Sequence, residues 1–335
     1  MSMSMFKLPF LDKALVNCYH NLAFPMGIIE ANAELDSEDI TPWVISKYIN
    51  PFFVETSPNN AYDICTYDRW GTNDGILYHQ YVNLFKSTYD CLEIDVIKSI
   101  CAMIKNGCYI TGVYNEKYIP GKMVYNQGDF VHDYILYGFD EEKQTFLSAG
   151  YLADRRYQSY EIPFSNFAQS INSVGGDRLQ FGFWTYNHNY HYQYNGERVL
   201  GELNDYIKCT TSHNYRKNLY YGIEANRKLR DYLIYCITNY DTPVVDLRYS
   251  RAYMEHKSIL YMCFKYLVEE NLLGGRIDQN DMDAACEIYQ NAIMIHRTGI
   301  KLNLTKKYDL IKHITKLFDT NEAKEVEIIT KIVST

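Results

Sequence analysis

A chain of 335 residues with a formal net charge of −8 can build two modest domains, and it carries no Lys/Arg run longer than two, which argues against a nucleic-acid role. The opening MSMSMFKLPFLDK has no charged-then-apolar leader pattern, and no apolar run approaches the roughly 18 residues that span a bilayer. Nine cysteines without a CxxC pair suggest neither a zinc site nor a disulfide framework, so a cytoplasmic protein without membrane or nucleic-acid partners is expected.

In chain order, LDKALVNCYHNLAF has helical apolar spacing until Pro25 and Gly27 interrupt it. A second helix is expected to start near Glu38, where acidic residues precede Thr41-Pro42. Residues 51–75 are rich in Pro, Asn and Gly and read as loop, followed by helices over about 76–86 and 92–105. The character changes at Asn106-Gly107. CYITGVYN, KMVYN, HDYILYGF and QTFLSAGY are short, β-branched and aromatic, with turn residues between them, and predict strands. EIPFSNFAQSI reads as a strand entering a helix, and DRLQFGFWTYN closes the sheet. The Tyr/Asn-rich segment 184–198 reads as a linker, and from about Gly201 amphipathic helical spacing continues to the end. The expected class is therefore α+β, with domains at 1–190 and 191–335 and the second one α-helical.

Cys18 and His132 are candidates for chemistry, with a structural buried cysteine and a surface or hydrogen-bonded histidine as the readings also open to each residue taken alone. A cysteine near a helix N-terminus is favoured as thiolate by the helix dipole. His132 opens a strand after the turn Asn126-Gln127-Gly128-Asp129. A nucleophilic thiol needs such an imidazole as its base, and only a fold can bring the two together. His188 and His191, spaced i, i+3, have no cysteine or carboxylate nearby in sequence to complete a ligand set and read as a polar linker. No metal is expected. The 33 tyrosines, about one residue in ten, suit cores and partner-facing surfaces alike.

The order NCYHNLAFP, a long insertion, then HDYILYGFDEEKQTFLSAGY resembles the papain-like cysteine enzymes over roughly residues 8–175. More narrowly it resembles the C39-peptidase-like branch and the N-terminal domain of the butirosin biosynthesis protein H family. It is also similar to the cysteine-protease-like, amide-forming enzymes of polythioamide (closthioamide) biosynthesis. The resemblance implies a papain-like (C39-like) domain with Cys18 as nucleophile and His132 as base. Two positions depart from the pattern. The slot for the Asn or Asp that orients the histidine falls at Gly150, and Asp154 is the nearest carboxylate that could replace it. The slot for the oxyanion-hole Gln falls at Asp12, whose charge would repel an oxyanion unless protonated. Asn17 and the Cys18 backbone N–H are alternative donors, with helix capping as the other role open to Asn17.

A thiolate with an imidazole base performs acyl transfer. The resemblance implies a carrier-protein thioester as donor, a small amine as acceptor and an amide as product, in a nonribosomal or thiotemplated pathway. No cofactor is expected, since the phosphopantetheine arm belongs to the acyl or peptidyl carrier protein. The basic pairs Arg155-Arg156, Arg216-Lys217 and Arg227-Lys228 could meet an acidic carrier, and tyrosine-rich tail helices could pair copies of the chain. A C39-like peptidase or amidase and a non-catalytic carrier-binding scaffold are the alternatives.

Overall fold

The computed structural model describes residues 5–55, 61–64, 80–90, 95–175, 178–211, 218–238 and 244–334. In chain order the elements are β1 (Met5–Lys7), α1 (His20–Leu35), α2 (Thr41–Lys47), β2 (Phe52–Val54), β3 (Ala61–Asp63), β4 (Val82–Asp90), α3 (Val96–Lys105), β5 (Tyr109–Asn115) and β6 (Val131–Asp140). They continue with β7 (Thr145–Tyr151), β8 (Tyr157–Pro163), α4 (Phe164–Asn172), β9 (Arg178–Tyr186), α5 (Gly196–Lys208), β10 (Leu219–Tyr221), α6 (Gly222–Thr238), α7 (Leu247–Glu269), α8 (Gln279–Thr305) and α9 (Leu310–Val333). The class is mixed α+β, with an antiparallel sheet followed by C-terminal helices, as the sequence predicts.

Two compact units share the chain. The first comprises Met1–Glu38 and Gly75–His191, and the second comprises Asp39–Asp74 and Tyr192–Thr335. A single cut at 190/191 misses the return of segment 39–74, whose β2 pairs with both β10 and β3 in a small antiparallel sheet.

In the first unit the sheet order is β4-β9-β5-β6-β7-β8, with β1 also paired to β6. Beside Gly138, β1 and β7 both approach β6 closely. A Cβ there would lie 2.7 Å from the Phe6 carbonyl oxygen and 2.8 Å from Leu147, so only glycine fits. Helix α1 is buried on nearly every face, and it passes through Pro25 and Gly27 without the expected interruption. Tertiary burial outweighs the one helical hydrogen bond that Pro25 forfeits. Gly27 admits a neighbouring strap, since a Cβ there would meet Phe10 and the Leu11 carbonyl at 2.7 Å.

Three further expectations change. The helix expected over 76–86 is instead strand β4 from Val82 onward, paired along all nine of its residues with β9; 76–79 lie outside the described residues. The expected loop over 51–75 contains β2 and β3. KMVYN forms turns rather than a strand, inside the connection from β5 to β6.

The second unit buries a charged pair among its helices. Lys257 Nζ lies 2.8 Å from Glu325 and 2.9 Å from the Tyr206 hydroxyl, which in turn donates to Glu325. Asn226 donates to the Tyr206 oxygen at 2.7 Å and accepts from Tyr62 at 2.8 Å. Burial lowers the Lys257 pKa, with the Glu325 charge opposing that shift. Among the described residues, no helix is long and apolar enough to cross a membrane.

Candidate active site

Cys18 ends an irregular strap that lies along α1. Leu11 N–H donates to the Gly27 carbonyl at 3.0 Å, and Leu15 N–H to the Glu30 carboxylate at 2.7 Å. These bonds explain why the apolar spacing of residues 11–18 does not become helix: its backbone groups are used laterally. The cysteine is therefore not within a helix. It immediately precedes the extended N-cap residue Tyr19, which supplies no side-chain cap. Cys18 is buried, one residue ahead of the α1 N-cap; the helix dipole at that end favours a thiolate, and burial acts against it.

His132 lies in the first half of β6, opposite Tyr114 of β5. On its other side β6 meets β7 only from Leu136 onward, with a register shift between Leu136 and Gly138. Ala149, Gly150 and Tyr151 pair with β8. The two strands thus part beside His132, and side chains from elsewhere in the unit enter the notch. A Cβ on Gly150 would stand 3.1 Å from Lys122 Nζ and 3.5 Å from His20 Nε2. The His20 and His132 rings meet edge to face with centroids 4.6 Å apart. Phe130 also stacks on the His132 ring, at 5.4 Å.

Electrostatically the cluster is two imidazoles, one ammonium and one carboxylate. Glu116 Oε1 lies 3.1 Å from Lys122 Nζ and 3.7 Å from His132 Nδ1. The first is an ion pair buried on both sides. The second is beyond hydrogen-bond length, a charge contact that a water or a small ring movement could close. Lys122 also donates to the Tyr151 carbonyl at 2.9 Å and faces the Tyr160 ring at 5.0 Å. The His20 pKa is held well below its ordinary value, first by burial and then by His132 and Lys122, against the Asp133 carbonyl. The Tyr151 hydroxyl donates to the Asn17 carbonyl at 2.8 Å and approaches that of Cys18 at 3.5 Å. These contacts bring the Cys18 backbone, His20 and His132 into one neighbourhood.

The remaining sequence candidates lie elsewhere in the unit. Asp154, in the β7–β8 turn, accepts from Arg156 N–H at 3.0 Å and from the Gln158 amide at 3.1 and 3.2 Å. Asp12 accepts from the Ser159 N–H at 2.8 Å. The Asn17 amide donates to the Ala14 carbonyl at 3.1 Å, closing the turn before Cys18. The carboxylate facing His132 is Glu116, which sequence reasoning missed along with His20, Lys122 and Tyr151. The string Cys18-Tyr19-His20 puts an imidazole next to the cysteine in sequence, but no spacing shows that its ring meets His132.

Among the other described cysteines, burial raises the thiol pKa of Cys101, to about 11, and of Cys108, Cys209, Cys236 and Cys263. Cys65 and Cys91 lie outside the described residues, as do Arg216-Lys217. His188 and His191 each meet a carboxylate, Asp36 at 2.9 Å and Glu38 at 3.5 Å. Among the described residues no group of three or more His, Cys, Asp or Glu could hold a metal ion. A scan against protein-family models finds no match for the chain, and a search of curated proteins finds none either.

Proposed function

We propose that the first unit is a papain-like, C39-like cysteine acyltransferase in which Cys18 is the nucleophile and His132 the base. The observation that supports this most directly is the 4.6 Å contact of His132 with His20, two residues from Cys18, at the N-terminus of α1. The position of Cys18 one residue ahead of the α1 N-cap adds to it. In this reading Glu116 takes the orienting part that the sequence assigned to Asp154. Apo geometry of this kind commonly tightens when substrate binds.

The donor is a thioester carried on the phosphopantetheine arm of an acyl or peptidyl carrier protein. His132 takes the Cys18 proton as sulfur adds to the carbonyl carbon. Collapse forms the acyl-enzyme, breaks the donor C–S bond and returns that proton to the departing thiol. A small amine then adds to the acyl-enzyme, His132 takes the amine proton, and the Cys18 C–S bond breaks to release an amide. The Cys18 backbone N–H and the Asn17 amide are the proposed oxyanion donors. The reaction is set in a nonribosomal or thiotemplated pathway in the cytoplasm, and it needs no resident cofactor.

Product analysis tests the reaction class. Purified protein with an acyl-carrier thioester and a panel of small amines is expected to give amide that requires Cys18. Cys18-dependent hydrolysis without amide would favour the C39-like peptidase or amidase. Firm carrier binding without turnover would leave a scaffold.

A further inference from the structure

Resting on the Cys18–His132 reading, we propose that His20 is a positioning residue: its imidazole fills the room above Gly150, where the usual orienting side chain would stand, and braces the His132 ring.

The notch between β6 and β7 makes that room, and glycine leaves it open. A Cβ on Gly150 would already touch His20 Nε2 and Cε1 at 3.5 and 3.7 Å and crowd Lys122 Nζ at 3.1 Å, so a larger side chain would displace both. The orienting slot is therefore not empty; it is occupied from α1. Phe24 and Tyr151 stack on the His20 ring at 5.0 and 5.8 Å, and Tyr157 meets it edge-on at 5.9 Å. With aromatic walls on these sides, the ring has a fixed plane against His132.

A second observation shows that the ring is more than packing. Both His20 nitrogens are buried and neither makes a hydrogen bond of good geometry to a described residue, while the Asp133 carbonyl acts on the ring strongly enough to oppose the lowering of its pKa. Burying an unpartnered polar group is unfavourable by about 1–3 kcal/mol, and an aromatic hydrocarbon would fill the same box without that penalty. An imidazole at this place is explained if the ring as a whole braces the neighbouring histidine, which it meets edge to face at 4.6 Å. Titratable and charged groups around the notch are His132 and Asp133 on β6, Lys122 and Glu116 on the connection before β6, Tyr151 on β7, Tyr157 on β8, and Cys18 itself. Burial, His132 and Lys122 all favour neutral His20. A neutral brace does not repel the imidazolium that forms on His132 when Cys18 gives up its proton, whereas a charged one would.

The test is the pH dependence of Cys18 alkylation by iodoacetamide in the full chain, followed by peptide mass spectrometry. An unassisted thiol reacts slowly at pH 6 and quickly at pH 9. The wild type is expected to retain reactivity at pH 6, and His132→Ala to lose it. His20→Phe is expected to lower the pH 6 rate by about ten-fold while leaving the pH 9 rate within about two-fold, a split that a merely structural defect does not produce. His20→Gln reaches above Gly150 and is expected to restore reactivity, and the shorter His20→Asn is not. A His20→Phe profile that superimposes on the wild type, with His132→Ala still defective, overturns this proposal and leaves the Cys18–His132 pair standing. A His132→Ala profile identical to the wild type overturns both. Where His20→Phe fails to fold, Gln and Asn decide: retention by Gln alone supports the brace, and equal retention or equal loss overturns it.

Discussion

Glu116 is the side chain on which the local electrostatics turn, because one buried carboxylate serves an ammonium and faces an imidazole. Replacing it by Gln removes the carboxylate charge that neutralises the buried Lys122, leaving it neutral acceptors only, such as the new amide oxygen and the Tyr151 carbonyl, among the described residues. Breaking a buried ion pair from one side typically destabilises by about 3–5 kcal/mol. We expect Glu116→Gln to show a loss of that order in urea denaturation, together with an approximately ten-fold fall in Cys18 alkylation at pH 6. Asp154→Asn, in the exposed turn, is expected to change either measurement by less than about two-fold. If Asp154→Asn has the larger effect on alkylation, the orienting role returns to Asp154. At this scale the sequence showed which residue types could carry the chemistry but not which neighbours would serve them. Counting along the hairpin reaches Gly150, beside which the structure places His20 and Lys122. No count along a strand can show that His20 from α1 and Lys122 from a turn fill the space above it.

Elements were legible where one periodicity dominated and obscured where pairing decided. The runs KKYDLIKHITKLF and EAKEVEIITKIV merge into the single helix α9, and β5 to β9 fall close to their expected segments. β4 was missed because its apolar residues fit a helical period locally, while nine-residue pairing with β9 lies about a hundred positions away in the chain. The β5–β6 connection was misread for a related reason. Asn115 organises it: its side-chain oxygen Oδ1 accepts from the N–H groups of Lys117 and Phe130, and its side-chain amide nitrogen donates to Asp129. Asn115→Ala is expected to destabilise the first unit by about 2–3 kcal/mol, with faster hydrogen exchange over 116–130. Unchanged exchange there would show that the loop holds itself. In the second unit the buried pair makes a comparable prediction. Glu325→Ala is expected to be destabilising by about 3–5 kcal/mol, and the double change Lys257→Met with Glu325→Leu far less so, because no charge is then left alone. A double variant as unstable as the single one would contradict that account.

Among the described residues, three imidazoles are held below their ordinary pKa chiefly by burial: His20, His256, and His296 at about 4. Each folded imidazole refuses a proton that the unfolded chain accepts near pH 6.5, so the unfolded state binds more protons below that value. Stability is therefore greatest above about pH 6.5 and falls as the pH drops towards 5. Each group contributes up to about 1.4 kcal/mol per pH unit below the unfolded pKa. The carboxylates held low, Asp95, Asp129, Asp278 and Glu55, add their own acid loss only at lower pH. Urea midpoints that decline from pH 7 to pH 5 are expected, and midpoints that hold or rise would contradict neutral buried histidines. The central claim concerns Cys18 and His132, and acyl capture tests it most directly. The full chain is incubated with a short-chain acyl N-acetylcysteamine thioester, quenched in acid and read by intact and peptide mass. The account predicts one acyl group on the Cys18 peptide, absent from Cys18→Ala and formed at least about a hundred-fold more slowly by His132→Ala. An acyl group on another residue, or equal capture by the two variants and the wild type, would contradict it.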